Sequence, residues 1–157
     1  MKKLVMVAII ALFMSPSFAE VNPQNPEFEG HVYVAPSAYQ SLAQNIYSSL
    51  GLTNLTEYWF NAHIYFVDSN GKIVRKVSPL LKGFGTWQRS TRDLIPDDFQ
   101  GSVWIITGQP IASSAFIHQA VANGGLSLLG TVAIKEVDSS LAAPLMERLD
   151  EAVLQDY

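Results

Sequence analysis

From His31 onward the chain alternates apolar and polar residues with a period of two, the signature of strands that bury one face. The clearest run is YWFNAHIYFV, Tyr58 to Val67. Phe60, Ala62, Ile64 and Phe66 fall on one face, and Trp59, Asn61, His63 and Tyr65 on the other. HVYVAP (31–36) predicts a short first strand stopped by Pro36, since proline cannot donate to a sheet ladder. SAYQSLAQ is ambiguous and admits a helical turn. NIYSSLGLTNLT (45–56), KIVRKV (72–77), GTWQRSTRDL (85–94), GSVWIITG (101–108), IASSAFIH (111–118) and LSLLGTVAIKEV (126–137) read as further strands. Turn residues punctuate them at short intervals. About seven antiparallel strands in a β-sandwich spanning 31–137 is the expected architecture.

The period then changes. After Asp138-Ser139-Ser140, a run of helix-capping residues, Leu141, Leu145, Leu149 and Val153 recur every fourth residue, and Pro144 fits only a first helical turn. Residues 138–157 are therefore expected to form an amphipathic C-terminal helix. Its apolar stripe is expected to dock on the sandwich itself, the alternative being a partner subunit.

The segment "YFVDSNGKIV" tests for metal. Counted from Asp68 as a calcium-binding loop, Gly71 stands at position four instead of six, Lys72 puts a cation at position five, and no glutamate closes position twelve. Asn-Gly between two alternating runs is instead a hairpin signal. No metal site is expected.

The first nineteen residues carry a different message. Lys2 and Lys3 precede an eleven-residue apolar run, Leu4 to Met14, and Ser17-Phe18-Ala19 ends in small residues. That is the layout of a secretory signal peptide cleaved after Ala19; the run is too short to span a bilayer, which takes ~20 residues. Residues 20–30, rich in Asn and Pro, read as a lead-in. A periplasmic or secreted protein without stable membrane insertion is expected. The absence of cysteine leaves packing as the source of stability and excludes thiolate chemistry. The chain carries a formal charge of −4, and loss of Lys2 and Lys3 makes it more acidic, which disfavours nucleic acid as a partner.

The string "NAHIYFVDSNGKIVRKV … GFGTWQRSTRDLIPDDFQGSVWIITGQPIASSAFI" resembles an Ig-like module of exported bacterial proteins, in which a hairpin of this type precedes a polar strand, a "dl-P-f-G-s-v" strand and a Gln-Pro corner. The layout is also similar to the sensory-rhodopsin transducer family. The resemblance covers roughly residues 31–134. It implies a sandwich fold with binding or structural roles, and no catalytic residues.

Chemistry beyond that is sparse. The three histidines, His31, His63 and His118, show no metal-ligand spacing, and no nucleophile-elbow, P-loop or dinucleotide motif occurs. No catalytic residue, cofactor or enzymatic activity is expected; a hydrolase assembled around His63 or His118 is an alternative. Charge is unevenly placed. Lys72, Arg75, Lys76, Lys82, Arg89 and Arg92 lie in 21 residues that contain no acid. They are a candidate anion-binding face for an envelope polysaccharide or lipid, or else the cations that guard an edge strand. Trp59 and Trp87 are candidates for an aromatic platform, and Trp104 is expected in the core. The expected function is a non-enzymatic binding or assembly module that works through its surface or its strand edges, with a protein partner or a second copy.

Overall fold

In a computed structural model, the described residues run from Gly30 to Gln155. The expected signal peptide and nearly all of the lead-in lie outside them, as do the last two residues. The described chain is mostly β and antiparallel, with a C-terminal helix over a sandwich-like body. Its strands are β1 (His31–Ser41), β2 (Ile46–Asn54), β3 (Phe60–Asn61), β4 (His63–Asp68), β5 (Ile73–Val77), β6 (Leu80–Leu81), β7 (Thr86–Ser90), β8 (Phe99–Thr107), β9 (Ile111–Ala120), β10 (Leu126–Val132) and β11 (Lys135–Val137). A one-turn helix, α1 (Thr91–Leu94), follows β7, and α2 (Ala142–Gln155) ends the described chain.

The main sheet runs β10-β9-β2-β1-β8-β4-β5, with β7 added to β2 and β11 to β1. It folds into two layers because β1 and β2 pair only at their hairpin end, Gln40 with Tyr47 and Ser41 with Ile46. Beyond that point β1 goes with β8, β4 and β5, and β2 goes with β7, β9 and β10. The main core lies between the layers. Tyr33, Ala35, Ile64, Phe66, Val103 and Ile105 from one layer meet Leu50, Leu52, Ile111 and Ala115 from the other. The expected apolar face of 58–67 is found there, with Phe60, Ala62, Ile64 and Phe66 all in or against this core.

Four local expectations are corrected. Pro36 does not stop β1. The register with β8 slips between Ala35 and Ala38, so Pro36 sits exposed at a bulge where its missing N–H costs no ladder bond. The strand then resumes through Gln40, and the ambiguous segment is strand plus turn, not helix. The 85–94 strand ends at Ser90, where Asp93 accepts hydrogen bonds from the Ser90 backbone and hydroxyl and turns Thr91–Leu94 into α1. The last strand is two: β10 pairs with β9 in one layer, and after Ala133-Ile134 the chain crosses to pair β11 with β1 in the other.

The Asn70-Gly71 hairpin forms as expected. Gly71 takes the left-handed conformation (φ 84°), and Asp68 Oδ1 accepts from the backbone N–H of Asn70 and Lys72 at 2.8 and 2.9 Å. Asp68 thus serves the turn.

The helix docks on its own sandwich. Ala142, Leu145, Met146 and Leu149 cover Val32, Tyr65, Ile106, Val34 and Trp104, the outer face of the β1-β8-β4 layer. The packed stripe is rotated from the expected one: Leu141 is exposed, and Ala142 and Met146 take its place. Tyr65, assigned to the mixed face of its strand, is fully buried because this helix covers that face.

Candidate functional site

The six clustered cations do not form one face. Along β5 the pairing sets Lys76 opposite Tyr65 and Arg75 opposite Phe66, so adjacent cations leave the sheet on opposite sides. Lys72, Arg75 and Lys76 line a groove of about 680 Å³ with Ser78 and Val153 of the helix. Lys76 is committed within it: its ammonium bonds the Asp150 carboxylate and lies 5.3 Å from the Tyr65 ring centroid. Lys82 sits elsewhere, 5.4 Å above the ring of Trp59. Arg89 and Arg92 border a different cleft, flanking β7 and α1. β5 ends the sheet path, so Arg75 and Lys76 stand on an edge strand, with Lys72 in the turn just before it, where cations oppose pairing with another chain.

The tryptophans also separate. Trp59 is 63% exposed, whereas Trp87 pairs with the buried Leu52 and packs against the core. Trp87 is therefore a packing residue, not half of a surface platform. Trp104 packs beneath the helix and donates to Ser102 Oγ at 3.1 Å.

The second layer has no helix over its outer face. There Tyr47 and Ser49 of β2 lie beside Phe116 and His118 of β9, and next to them Leu126 and Leu128 of β10. A cleft of about 490 Å³ opens among Tyr47, Ser49, Arg89, Arg92, Asp93, His118 and Leu126. His118 Nε2 is 2.8 Å from Ser49 Oγ, and its ring is flanked by Tyr47 and Phe116 at 5.9 and 6.0 Å between centroids. Nothing in the spacing of the sequence joins His118 to Arg89 and Arg92; the register of β2 between β7 and β9 does so. Among the described residues no carboxylate bonds the second ring nitrogen of His118, so the Ser–His pair lacks the orienting acid of a hydrolytic triad. The bond satisfies a hydroxyl on a buried residue; two arginines and a histidine outnumber the one carboxylate of the cleft, Asp93, which accepts from Ser90, and this gives the cleft a capacity for anions.

His63 and His31 are engaged elsewhere. His63 Nδ1 meets Ser78 Oγ at 3.2 Å, and burial, with the nearby Lys76 charge, lowers its pKa; Asp150 acts the other way. His31 Nδ1 meets Glu136 Oε1 at 2.6 Å across the β1–β11 pair. No three His, Asp or Glu side chains gather as a metal-ligand set among the described residues.

β10 is one edge of this open layer, β7 being the other. Among the described residues β10 pairs only with β9. Leu126, Leu128 and Leu129 are 63, 57 and 51% exposed, and no Asp, Glu, Lys or Arg occurs between Asp98 and Lys135. The two ends of the sheet therefore differ: β5 carries cations and β10 carries exposed leucines.

No family model matches the chain, and neither a curated protein nor a solved structure matches it.

Proposed function

We propose that this chain is a non-enzymatic binding or assembly module of the Ig-like kind, exported to the periplasm or beyond, and that it works by adding a strand to the free edge of β10. The observation that carries this reading is the contrast between the sheet's two ends. An unpaired strand edge offers a row of backbone donors and acceptors, and proteins that must avoid pairing guard it with lysine, proline or a short length. β5 has such a guard. β10 has one irregularity, between Leu128 and Gly130, but it has seven residues, no charge and leucines that extend an apolar patch over His118 and Phe116. An extended segment laid along β10 would satisfy those backbone groups and bury the leucines, as in strand-addition recognition. A second copy of the chain is the simplest such segment.

Sedimentation velocity over a concentration series tests this. The protein is expected to associate as concentration rises, and Leu128→Lys is expected to shift it to monomer with little change in thermal midpoint, because Leu128 is mostly exposed. A protein that stays monomeric throughout and takes up no added β10-sequence peptide would sink the reading.

A second reading draws on the cleft beside that edge. Arg89, Arg92 and His118 suit an anionic polymer such as an envelope polysaccharide. Co-sedimentation that salt abolishes and Arg89→Glu weakens would support it.

A further inference from the structure

We propose that the loops Leu55–Trp59 and Leu80–Phe84 form a rigid apolar tip that docks into the interfacial region of a lipid bilayer. Five large apolar side chains of these loops stand in solvent: Leu55 at 53%, Tyr58 at 64%, Trp59 at 63%, Leu80 at 51% and Phe84 at 71% exposed. Scattered exposed apolar residues are ordinary, but a concentration on two touching loops marks an interaction surface.

The loops are built to hold that shape. Asn54, 1% exposed, ties them together: its Nδ2 donates to the carbonyls of Tyr58 and Lys82 at 2.6 and 3.0 Å, and its Oδ1 accepts from the backbone N–H and hydroxyl of Thr56 at 2.8 and 2.9 Å. The backbone N–H of Phe84 donates to the Thr56 carbonyl at 2.9 Å, and β3 pairs with β6 beneath. Gly83 lies so close to Glu57 that a Cβ would come within 2.3 Å of its carbonyl oxygen.

Phe84 is the telling residue. In the turn closed by the Gly85 N–H on the Lys82 carbonyl (2.8 Å), it occupies the third position with φ 54°. Glycine is favoured there, and a bulky side chain is strained. Asn45, the other non-glycine residue with positive φ among the described residues, is of a type that tolerates it. A ring that is strained at its backbone and mostly exposed gains little from the fold. Strain kept without a packing return points to use of the ring outside the molecule.

The chemistry of the tip selects a bilayer as the occupant. Trp and Tyr favour the membrane–water interface, where rings sit among headgroups, while Phe and Leu enter the acyl region. The Lys82 ammonium lies 5.4 Å from the Trp59 ring centroid, a cation–π contact that keeps the one positive charge of the tip beside the ring that would sit among headgroups. Glu57 and Lys82 are the single acid and single base of the two loops, so no net charge ties the tip to anionic lipid. Binding driven by apolar insertion follows, and it is separate from both the β10 edge and the Arg89–Arg92 cleft.

The test is flotation of purified protein with phosphatidylcholine vesicles at low and at high salt, comparing wild type, Phe84→Gly and Trp59→Ala. Wild-type protein is expected to float at both salt concentrations. Phe84→Gly relieves the turn, so its thermal midpoint is expected to be unchanged or higher, while vesicle binding falls about tenfold or more, the loss that withdrawing one Phe from an apolar phase implies. Brominated acyl chains are expected to quench tryptophan emission of the wild type and to quench Trp59→Ala much less. Absence of wild-type flotation, flotation that high salt abolishes, or full binding by Phe84→Gly would each overturn the proposal.

Discussion

The outer faces of the two layers were given opposite fates. On the β1-β8-β4 side, Val32, Tyr65 and Ile106 are wholly removed from water by α2. On the β2-β9-β10 side, Tyr47, Phe116 and His118 are only partly covered, and Leu126 and Leu128 are more than half exposed. Both faces carry apolar and aromatic groups. The difference lies in what the chain supplies to cover them. The helix brings a matched stripe and a carboxylate, Asp150, that accepts from the Tyr65 hydroxyl at 2.5 Å and pairs with Lys76. The other face receives nothing from the described residues. An apolar face that a chain covers serves its stability; one left open is available for association.

The comparison is broken most directly by matched truncations. Ile106→Ala, beneath the helix, is expected to cost roughly 2–5 kcal/mol in urea denaturation, the range for a fully buried aliphatic side chain. Leu128→Ala, on the open face, is expected to fall within about 0.5 kcal/mol. Equal costs would show that the open face is as structural as the covered one.

Asp150→Ala sharpens the contrast at the helix. It leaves the buried Tyr65 hydroxyl without its acceptor, for which about 1–3 kcal/mol is expected. The same substitution should expose tryptophan fluorescence to quenching, since Trp104 packs under α2. Unchanged stability and unchanged quenching would mean that the apolar stripe holds the helix without the carboxylate.

The smallest effect is one of pH. His63 lies at the border of the helix-covered side, and burial together with Lys76 lowers its pKa from the ordinary value of 6.5. The unfolded chain then binds the proton more readily than the folded one. The stability linked to His63 is present above about pH 6.5 and is lost as the pH falls through the lowered folded value. A plot of urea midpoint against pH should therefore decline below neutrality in the wild type, and His63→Gln should flatten that part of the curve. A decline that persists in the variant would assign it to other groups.

Much of this architecture can be read from the residues. The alternation of 58–67, the Asn70-Gly71 turn and the four-residue spacing of the tail each have one physical solution. The errors arise where a local pattern is overruled by a distant partner. Pro36 looks like a stop until β8 supplies a bulge to hold it. LSLLGTVAIKEV looks like one strand because nothing in its composition marks the crossing between layers. The candidate site was less legible for the same reason. Proximity of six cations in sequence says little about proximity in space when strands alternate sides and lie on separate edges. Trp87 was assigned to the surface by its polar neighbours, but β7 runs along the rim of the core, where one side chain of a face can be half-buried against it while the next, Arg89, reaches solvent. The aromatic tip and the unguarded β10 edge rest on exposure, and exposure depends on which neighbours fail to arrive.

The pairing of β11 with β1 has a consequence in time. Val32 meets Val137, so the first described strand waits for the last. A contact across that length of chain carries more closure entropy than the hairpins within it and is expected to form after them. Until it does, Val32 has no neighbour on that side, and α2, which follows β11 directly, has no fixed point from which to dock. The covered face is thus expected to be the last completed. A nascent or newly refolding molecule would for a while show apolar surface on both layers, one of them only until its own tail arrives.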